Sequence, residues 1–480
     1  MKKKEKKQEE RKPGRKLKVV LISVGAVVCA AVMFLLGFLT YYLTLPSGVR
    51  SLLWIKSMVD SEYFYDVDED EFWACAKAGA QAAGESGSEE YWAGAIDGAV
   101  SLLDDYSAYY TESEYQEVTD SYAGNMSGIG MSFFSGSNKL ARVALGSPLF
   151  YASADAEEPV EGGMYLTGVG ADGTSYTAVG TYAEASAAVS QYGEGDTVWL
   201  RFSGENDPEA ESCVTVSLTP AEYTETYLLY ACAGRAYAYC YGESGDAVWT
   251  DISAYVTADE KTEEVEGVAY IRIVRFAGDA GEAMKDAAAQ FAADGAEKLL
   301  LDLRNNGGGQ LSVMQEIAAY LLRDCETSAP VIQAAIRKSG SVTAYRAGGN
   351  YFGTYFGDAE VYCAANYNSA SASEALMGAM LCFGTMGYGD IYLTDNTGLG
   401  SARTYGKGIM QTTYTNLMTG EAIKLTTAQI YWPNGVCIHG TGIRTTDEDD
   451  SGSPVASYAA SNMEYGDTEL ASLFSMVSVR

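Results

Sequence analysis

The hydrophobic positions change period along the chain. Val19 to Leu45 is an almost uncharged stretch of 27 residues, long enough for an apolar helix to span a bilayer with some tilt. From residue 50 apolar residues recur at helical spacing, first Leu52, Leu53, Ile55 and Met58, then Trp92, Ala95, Ile96, Ala99, Val100, Leu102 and Leu103. Between 122 and 222 short apolar runs at 127–133, 164–169 and 197–202 are punctuated by glycines, with one amphipathic helix near 182–191. That pattern predicts a small, partly open β barrel. Beyond 266 strands and helices alternate: strand 267–273, helix 280–294, a near-continuous apolar strand 298–304, helix 311–322, strand 360–365 and helix 373–382. An apolar strand of this kind suits a sheet covered on both faces, so an α/β (α+β) core with a mixed sheet is expected.

Charge sharpens the division. Residues 1–18 hold ten Lys/Arg against three Glu, whereas the remainder holds 22 Lys/Arg against 61 Asp/Glu. Basic residues before an apolar span stay in the cytoplasm, which predicts a single-pass cell-membrane protein with everything after about residue 46 outside. The span exceeds the usual signal-peptide core, and 41–44 (Tyr-Tyr-Leu-Thr) is no small-residue cleavage site, so a permanent anchor is preferred over a removed leader. The acidic body disfavours nucleic acid. The expected division is a basic tail at 1–18, an anchor at 19–45, an N-terminal helical region at 46–121, a barrel at 122–222 and the α/β core at 223–480. The helical region suits packing first, and docking or homodimer formation second.

Nine cysteines are scattered without a CxxC pair or metal-like spacing, so free buried thiols are preferred to a zinc site. No cofactor is implied.

The candidate chemistry follows from what is scarce. The chain contains one histidine, His439, in a Gly-rich turn where a structural role is the ordinary one. A hydrolytic serine would then need another base, and lysine is the usual substitute. Nine lysines lie beyond the apolar span, none with a serine three residues before it. Lys407 stands apart, between Gly406 and Gly408, where backbone can approach closely and hold the amine in a water-poor site. Desolvation favours a neutral amine able to accept a serine proton; an exposed lysine in a glycine turn is the plain alternative. The serine candidates sit in Asn368-Ser369-Ala370-Ser371-Ala372-Ser373-Glu374, at a strand-to-helix turn whose free N–H groups suit an oxyanion. Ser371 with Glu374 equally fits a capping box. Leu301-Asp302-Leu303-Arg304-Asn305-Asn306-Gly307-Gly308-Gly309 reads as a strand ending in a turn that can aim N–H groups at an anion.

In this order the elements resemble the C-terminal processing (tail-specific) serine peptidases, over nearly all of the chain beyond the span. The carriers are residues 102–110, the loop at 127–133, the 301–309 run, the SASASE segment, Gly406-Lys407-Gly408 with Gln411, and the closing 431–435 and 438–443 segments. The resemblance implies that Ser371 is the nucleophile, Lys407 the general base and Gln411 its orienting partner, with the N–H groups of Gly309 and Ala372 as the oxyanion hole. It also implies a PDZ domain whose loop, Gly128, Ile129, Gly130 and Met131, holds the free C-terminal carboxylate of a protein or peptide substrate. The chain departs from the family in a long interval of 36 residues between Ser371 and Lys407, expected as a longer loop at 387–401, and in an altered segment at 151–161. The rival expectation is a catalytically inactive cell-surface PDZ scaffold.

Overall fold

The computed structural model describes residues 15–153, 159–241, 245–256, 262, 265–336, 338–395, 402–444, 457–461 and 467–479. They form two compact units, one of residues 1–109 with 413–418 and 423–425, the other of the rest.

In the first unit a helix covers Arg15–Thr44. Among the described residues no helix is long and apolar enough to cross a membrane; the side chains at 15–22, 25, 35, 38 and 39 lie outside them. The anchor read from 19–45 is therefore not found there, although Val24, Val27, Val28, Met33, Phe34 and Leu36 are exposed. Three further helices, Ser47–Glu62, Glu69–Ala83 and Glu89–Val100, pack around Ile55, Val59, Phe72 and Ala99. Their starts are specified locally: Asp68 accepts the Glu71 N–H at 3.0 Å and Ser88 the Tyr91 N–H at 3.2 Å.

The second unit is built on an eight-stranded mixed sheet. Its order is Ala247–Asp251, Arg235–Tyr241, Leu228–Cys232, Val268–Ile273, Lys298–Asp302, Glu360–Asn366, Ile391–Asp395, Ser457–Ser461. The first four strands pair antiparallel and the rest parallel. Alternation along the central strands explains the double coating. Ile271, Leu301 and Cys363 face a core with the helices Ala280–Asp294, Leu311–Leu321 and Ala372–Cys382. Tyr270, Leu300 and Tyr362 face Leu470, Leu473, Phe474 and Val477 of the helix Asp467–Val479. The mixed α/β core expected from the sequence is the architecture observed. One expectation needs correcting: the interval 387–401 is not simply a loop. Its strand Ile391–Asp395 pairs with Glu360–Asn366, while 396–401 lies outside the described residues.

Between 125 and 224 a four-stranded sheet, ordered Thr177–Ala178, Tyr165–Gly170, Val198–Ser203, Val214–Leu218, packs with the helix Tyr182–Val189 around Leu166, Leu200 and Phe202. The hairpin Met131–Phe133/Leu140–Val143 adds to the same core. Residues 154–158, within the altered 151–161 segment, lie outside the described residues. All nine cysteines are free thiols.

A buried ion pair closes the strand Lys298–Asp302. Asp302 and Arg304 meet at 2.6 and 2.9 Å, and the Tyr270 hydroxyl donates to Asp302 at 2.7 Å. Burial alone would raise the Asp302 carboxyl; the Arg304 guanidinium, with help from Arg272 and Tyr270, overcomes it and holds the carboxyl below its ordinary value. A carboxyl depressed in the folded state stabilises the fold above its unfolded value near 3.9, and that contribution is lost as pH falls through the folded value. Asp302→Asn should cost about 3 kcal/mol at neutral pH, since it leaves a buried guanidinium unpaired. It should also flatten the acid limb of a plot of melting temperature against pH. An unchanged acid limb would remove Asp302 as its source.

Candidate active site

Two turns at the ends of neighbouring parallel strands build the site. After Lys298–Asp302 the chain turns through 305–309; after Glu360–Asn366 it turns through 367–371 and enters the helix Ala372–Cys382. Side chains and backbone stitch the turns together. Ser369 Oγ donates to Leu303 O at 2.7 Å, Ser373 Oγ to Asn306 O at 2.8 Å, and Ala370 N–H to Asn306 O at 3.0 Å. Asn366 and Asn368 both donate through Nδ2 to Asn305 Oδ1, at 3.2 and 2.9 Å. Serines and asparagines that look like loop filler in the sequence are the struts of this corner.

Ser371 is held at φ 58°, ψ −112°, a conformation L-residues rarely adopt. Strain of this kind persists only where the surroundings over-determine it, and it gathers at functional turns. Asn305, also at positive φ (60°), is in the opposite turn. Gly308, at φ 100°, lies directly against the serine: a Cβ there would sit 2.9 Å from Ser371 Cβ and 2.8 Å from Ala370 O. Gly308→Ala should thus displace the serine. A hydrolysis rate reduced by about 10²-fold with a small change in melting temperature is expected. Full activity in that variant would show that the contact does not position Ser371.

The decisive group is Glu374, buried at 1% exposure. Its Oε2 accepts the Ser371 N–H at 3.0 Å and the Lys407 N–H at 2.8 Å. Its Oε1 accepts the Thr404 hydroxyl at 2.6 Å and the Gly406 N–H at 2.7 Å. The amides of Ser371 and Lys407 thus share one oxygen atom, and the two residues lie side by side despite their separation in sequence. Burial pushes the Glu374 carboxyl up from its ordinary value, and the four donors pull against it. The sequence showed Glu374 only as a helix-capping residue; nothing local announces its three other partners, 30 to 33 residues away.

The other candidates fall as follows. Lys407 is half-buried in a loop held by Tyr405 N–H to Ser369 O at 3.0 Å and by Gly440 N–H to Gly406 O at 2.8 Å. Gln411, on the strand Ile409–Thr415, donates through Nε2 to Thr426 Oγ1 at 3.0 Å. Ala372 is the first residue of its helix and fully buried; its N lies 3.0 Å from the Cβ position of Gly308. Gly309 carries φ 149°, and a Cβ there would meet Phe276 O at 2.2 Å. His439 is exposed, and its backbone lies against Gly408. Gly128, Ile129, Gly130 and Met131 join the strand Asn125–Gly128 to Met131–Phe133. The carbonyls of Ile129 and Gly130 accept the Leu149 and Ala144 N–H groups at 3.0 and 2.8 Å, so this loop is anchored from behind.

Residues 267–448 match peptidase family S41. Proteins named "Probable CtpA-like serine protease" from several strains of Staphylococcus aureus are 30% identical over 177 residues, 37% of this chain. That match spans 32% of their own length. The protein of the same name from Staphylococcus saprophyticus is 25% identical over 428 residues, covering 88% of this chain and 71% of that protein. Among solved structures, a photosystem II D1 C-terminal processing protease superposes with a TM-score of 0.50 at 19% identity, covering 90% of this chain and 98% of that one. A putative S41 protease from Bacteroides fragilis gives 0.50 at 13% identity, covering 89% and 96%.

Proposed function

We propose, from the match of residues 267–448 to peptidase family S41, that this protein is a serine endopeptidase cleaving exported or membrane proteins near their C-termini. Ser371 is the nucleophile and Lys407 its general base. The observation that carries this reading is the shared Glu374 oxygen, which sets the serine-bearing turn and the lysine-bearing loop next to each other. The lysine amine takes the serine proton, the alkoxide attacks a peptide carbonyl, and the oxyanion rests on N–H groups of Gly309 and Ala372. The same amine returns the proton to the leaving nitrogen, and water resolves the acyl-enzyme. Gln411 orients the lysine from the neighbouring strand. No cofactor takes part.

The barrel between 122 and 222 acts as a PDZ domain that receives a free C-terminal tail by strand addition, with its carboxylate at Gly128–Met131. The apolar residues exposed along Arg15–Thr44, preceded by the basic residues 1–18, support attachment to the membrane with the N-terminus cytoplasmic and the catalytic part outside.

A serine-reactive fluorophosphonate probe tests the assignment. Labelling of the wild type at Ser371, mapped by mass spectrometry and absent in Ser371→Ala, is expected. A wild type that takes up no label would favour the inactive scaffold.

A further inference from the structure

Asn306 is fully buried where the strand Val268–Ile273 meets the two turns of the site. Its Nδ2 donates to Ile273 O at 2.7 Å, and its Oδ1 accepts the Gly308 N–H at 2.9 Å. Its backbone oxygen receives the Ala370 N–H and the Ser373 hydroxyl. The side chain thus ties the glycine turn to the sheet, and the carbonyl ties it to the serine turn. An asparagine oxygen bonded to the N–H two residues on forms a turn in its own right. Here it fixes the peptide plane between Gly307 and Gly308, at the start of a run in which Gly308 and Gly309 stand at φ 100° and 149°.

The direction of the next N–H follows. Phe276 N–H donates to Gly308 O at 3.1 Å, and Phe276 O accepts the Gln310 N–H at 2.7 Å. A trans peptide unit points its C=O and its N–H in opposite directions, so with Gly308 O on Phe276 the Gly309 N–H faces away from that residue. It has no acceptor among the described residues, and neither has the Ala372 N–H. Gly308 itself lies against the serine, with its Cβ position 2.9 Å from Ser371 Cβ and 3.0 Å from Ala372 N. Of the two N–H groups of Gly308 and Gly309, Asn306 engages the first and leaves the second open beside the nucleophile.

We propose that Asn306 is a positioning residue: by holding the Gly308 N–H it aims the Gly309 N–H at the substrate carbonyl oxygen as negative charge develops there. The inference rests on the peptidase reading and adds the side chain that sets the oxyanion donor. A donor stabilises developing charge only when it is already oriented towards it, so a glycine turn free to rotate loses most of its effect.

The test compares Asn306→Ala with Asn306→Ser in the full-length protein. Both lose the bond to Ile273 O, but the serine hydroxyl still accepts the Gly308 N–H in a weaker turn of the same kind. For a short peptide substrate kcat should fall about 10²-fold in the alanine variant and about tenfold in the serine variant, with KM within about twofold of wild type. A peptide aldehyde supplies a readout that packing alone would not move. Ser371 Oγ bonds its carbonyl carbon, the serine proton passes to the Lys407 amine, and the carbonyl oxygen becomes an oxyanion; the alcohol of the same sequence forms no such adduct. The aldehyde inhibition constant should rise in step with the loss in kcat, while that of the alcohol stays within about twofold. Equal losses for aldehyde and alcohol, or equal kcat in the two variants, would make Asn306 a packing residue and overturn the proposal. If the alanine variant does not fold, the aldehyde–alcohol difference in the serine variant decides alone. Wild type that binds the aldehyde no better than the alcohol would overturn the peptidase reading, and this inference with it.

Discussion

Ser371→Ala is expected to fold normally and to lose hydrolysis of an unstructured, apolar-tailed peptide by roughly 10⁴-fold or more. The fold should survive because the turn is held by the Ser371 backbone N–H on Glu374, not by its hydroxyl. Alanine keeps that amide, and its φ is no more strained there than that of serine. Lys407→Ala should behave alike for the same reason: its N–H stays on the carboxylate while the amine is gone. His439→Ala should keep most of the activity, since the imidazole is exposed and only its backbone supports the Gly408 loop. Product formation by mass spectrometry, alongside melting temperatures, separates these outcomes. If His439→Ala proves as damaging as Ser371→Ala, the serine–lysine pairing is wrong.

Glu374 should show the second large effect, and on two axes. Truncation to alanine leaves four donors facing a buried void, at a cost of about 3 kcal/mol even if water enters. Below its lowered melting temperature the variant should still hydrolyse at least about 10²-fold more slowly, because the lysine loop is no longer fixed against the serine turn. The loss should fall on kcat, with KM little changed. Glu374→Gln is the sharper probe. Oε2 accepts two backbone N–H groups and Oε1 one besides the Thr404 hydroxyl, so an amide NH₂ placed on either side must face at least one backbone donor. The isosteric change should therefore resemble alanine in kcat. A glutamine variant with wild-type turnover would show that the carboxylate fills space and does not position the pair.

The chain's own pattern went far towards this architecture where periodicity was clean. The strands Val268–Ile273 and Lys298–Asp302 are apolar on both faces because helices cover both faces, and a run such as Leu299-Leu300-Leu301 is readable as such. The three antiparallel strands between Leu228 and Asp251 were not readable. Leu228–Cys232 and 236–241 are continuous apolar runs, but their alanines, tyrosines and cysteines suit helix and strand alike, and pairing with Val268–Ile273 decides between them. At the site, Lys407 stood out through the single histidine and its flanking glycines, whereas Ser371 fitted a helix cap equally well until the family resemblance singled it out. Gly308 was hidden in a run of three equal glycines, and only contact distances single it out. Gln411 was read as a partner of the lysine; its amide nitrogen donates to Thr426, a bond set by strand pairing that spacing alone does not announce.

The shared carboxylate also bears on how this chain tolerates change. Because Glu374 clamps both ends of the interval directly, the distance between the Ser371 and Lys407 backbones does not depend on how many residues connect them. Loops in the intervening segment can lengthen while the chemistry stays put, whereas its buried elements, the helix Ala372–Cys382 and the strand Ile391–Asp395, are held by the core they pack in. Counting residues between a nucleophile and its base is then a poor ruler for relatedness. A glutamic acid three places after the serine is the better landmark.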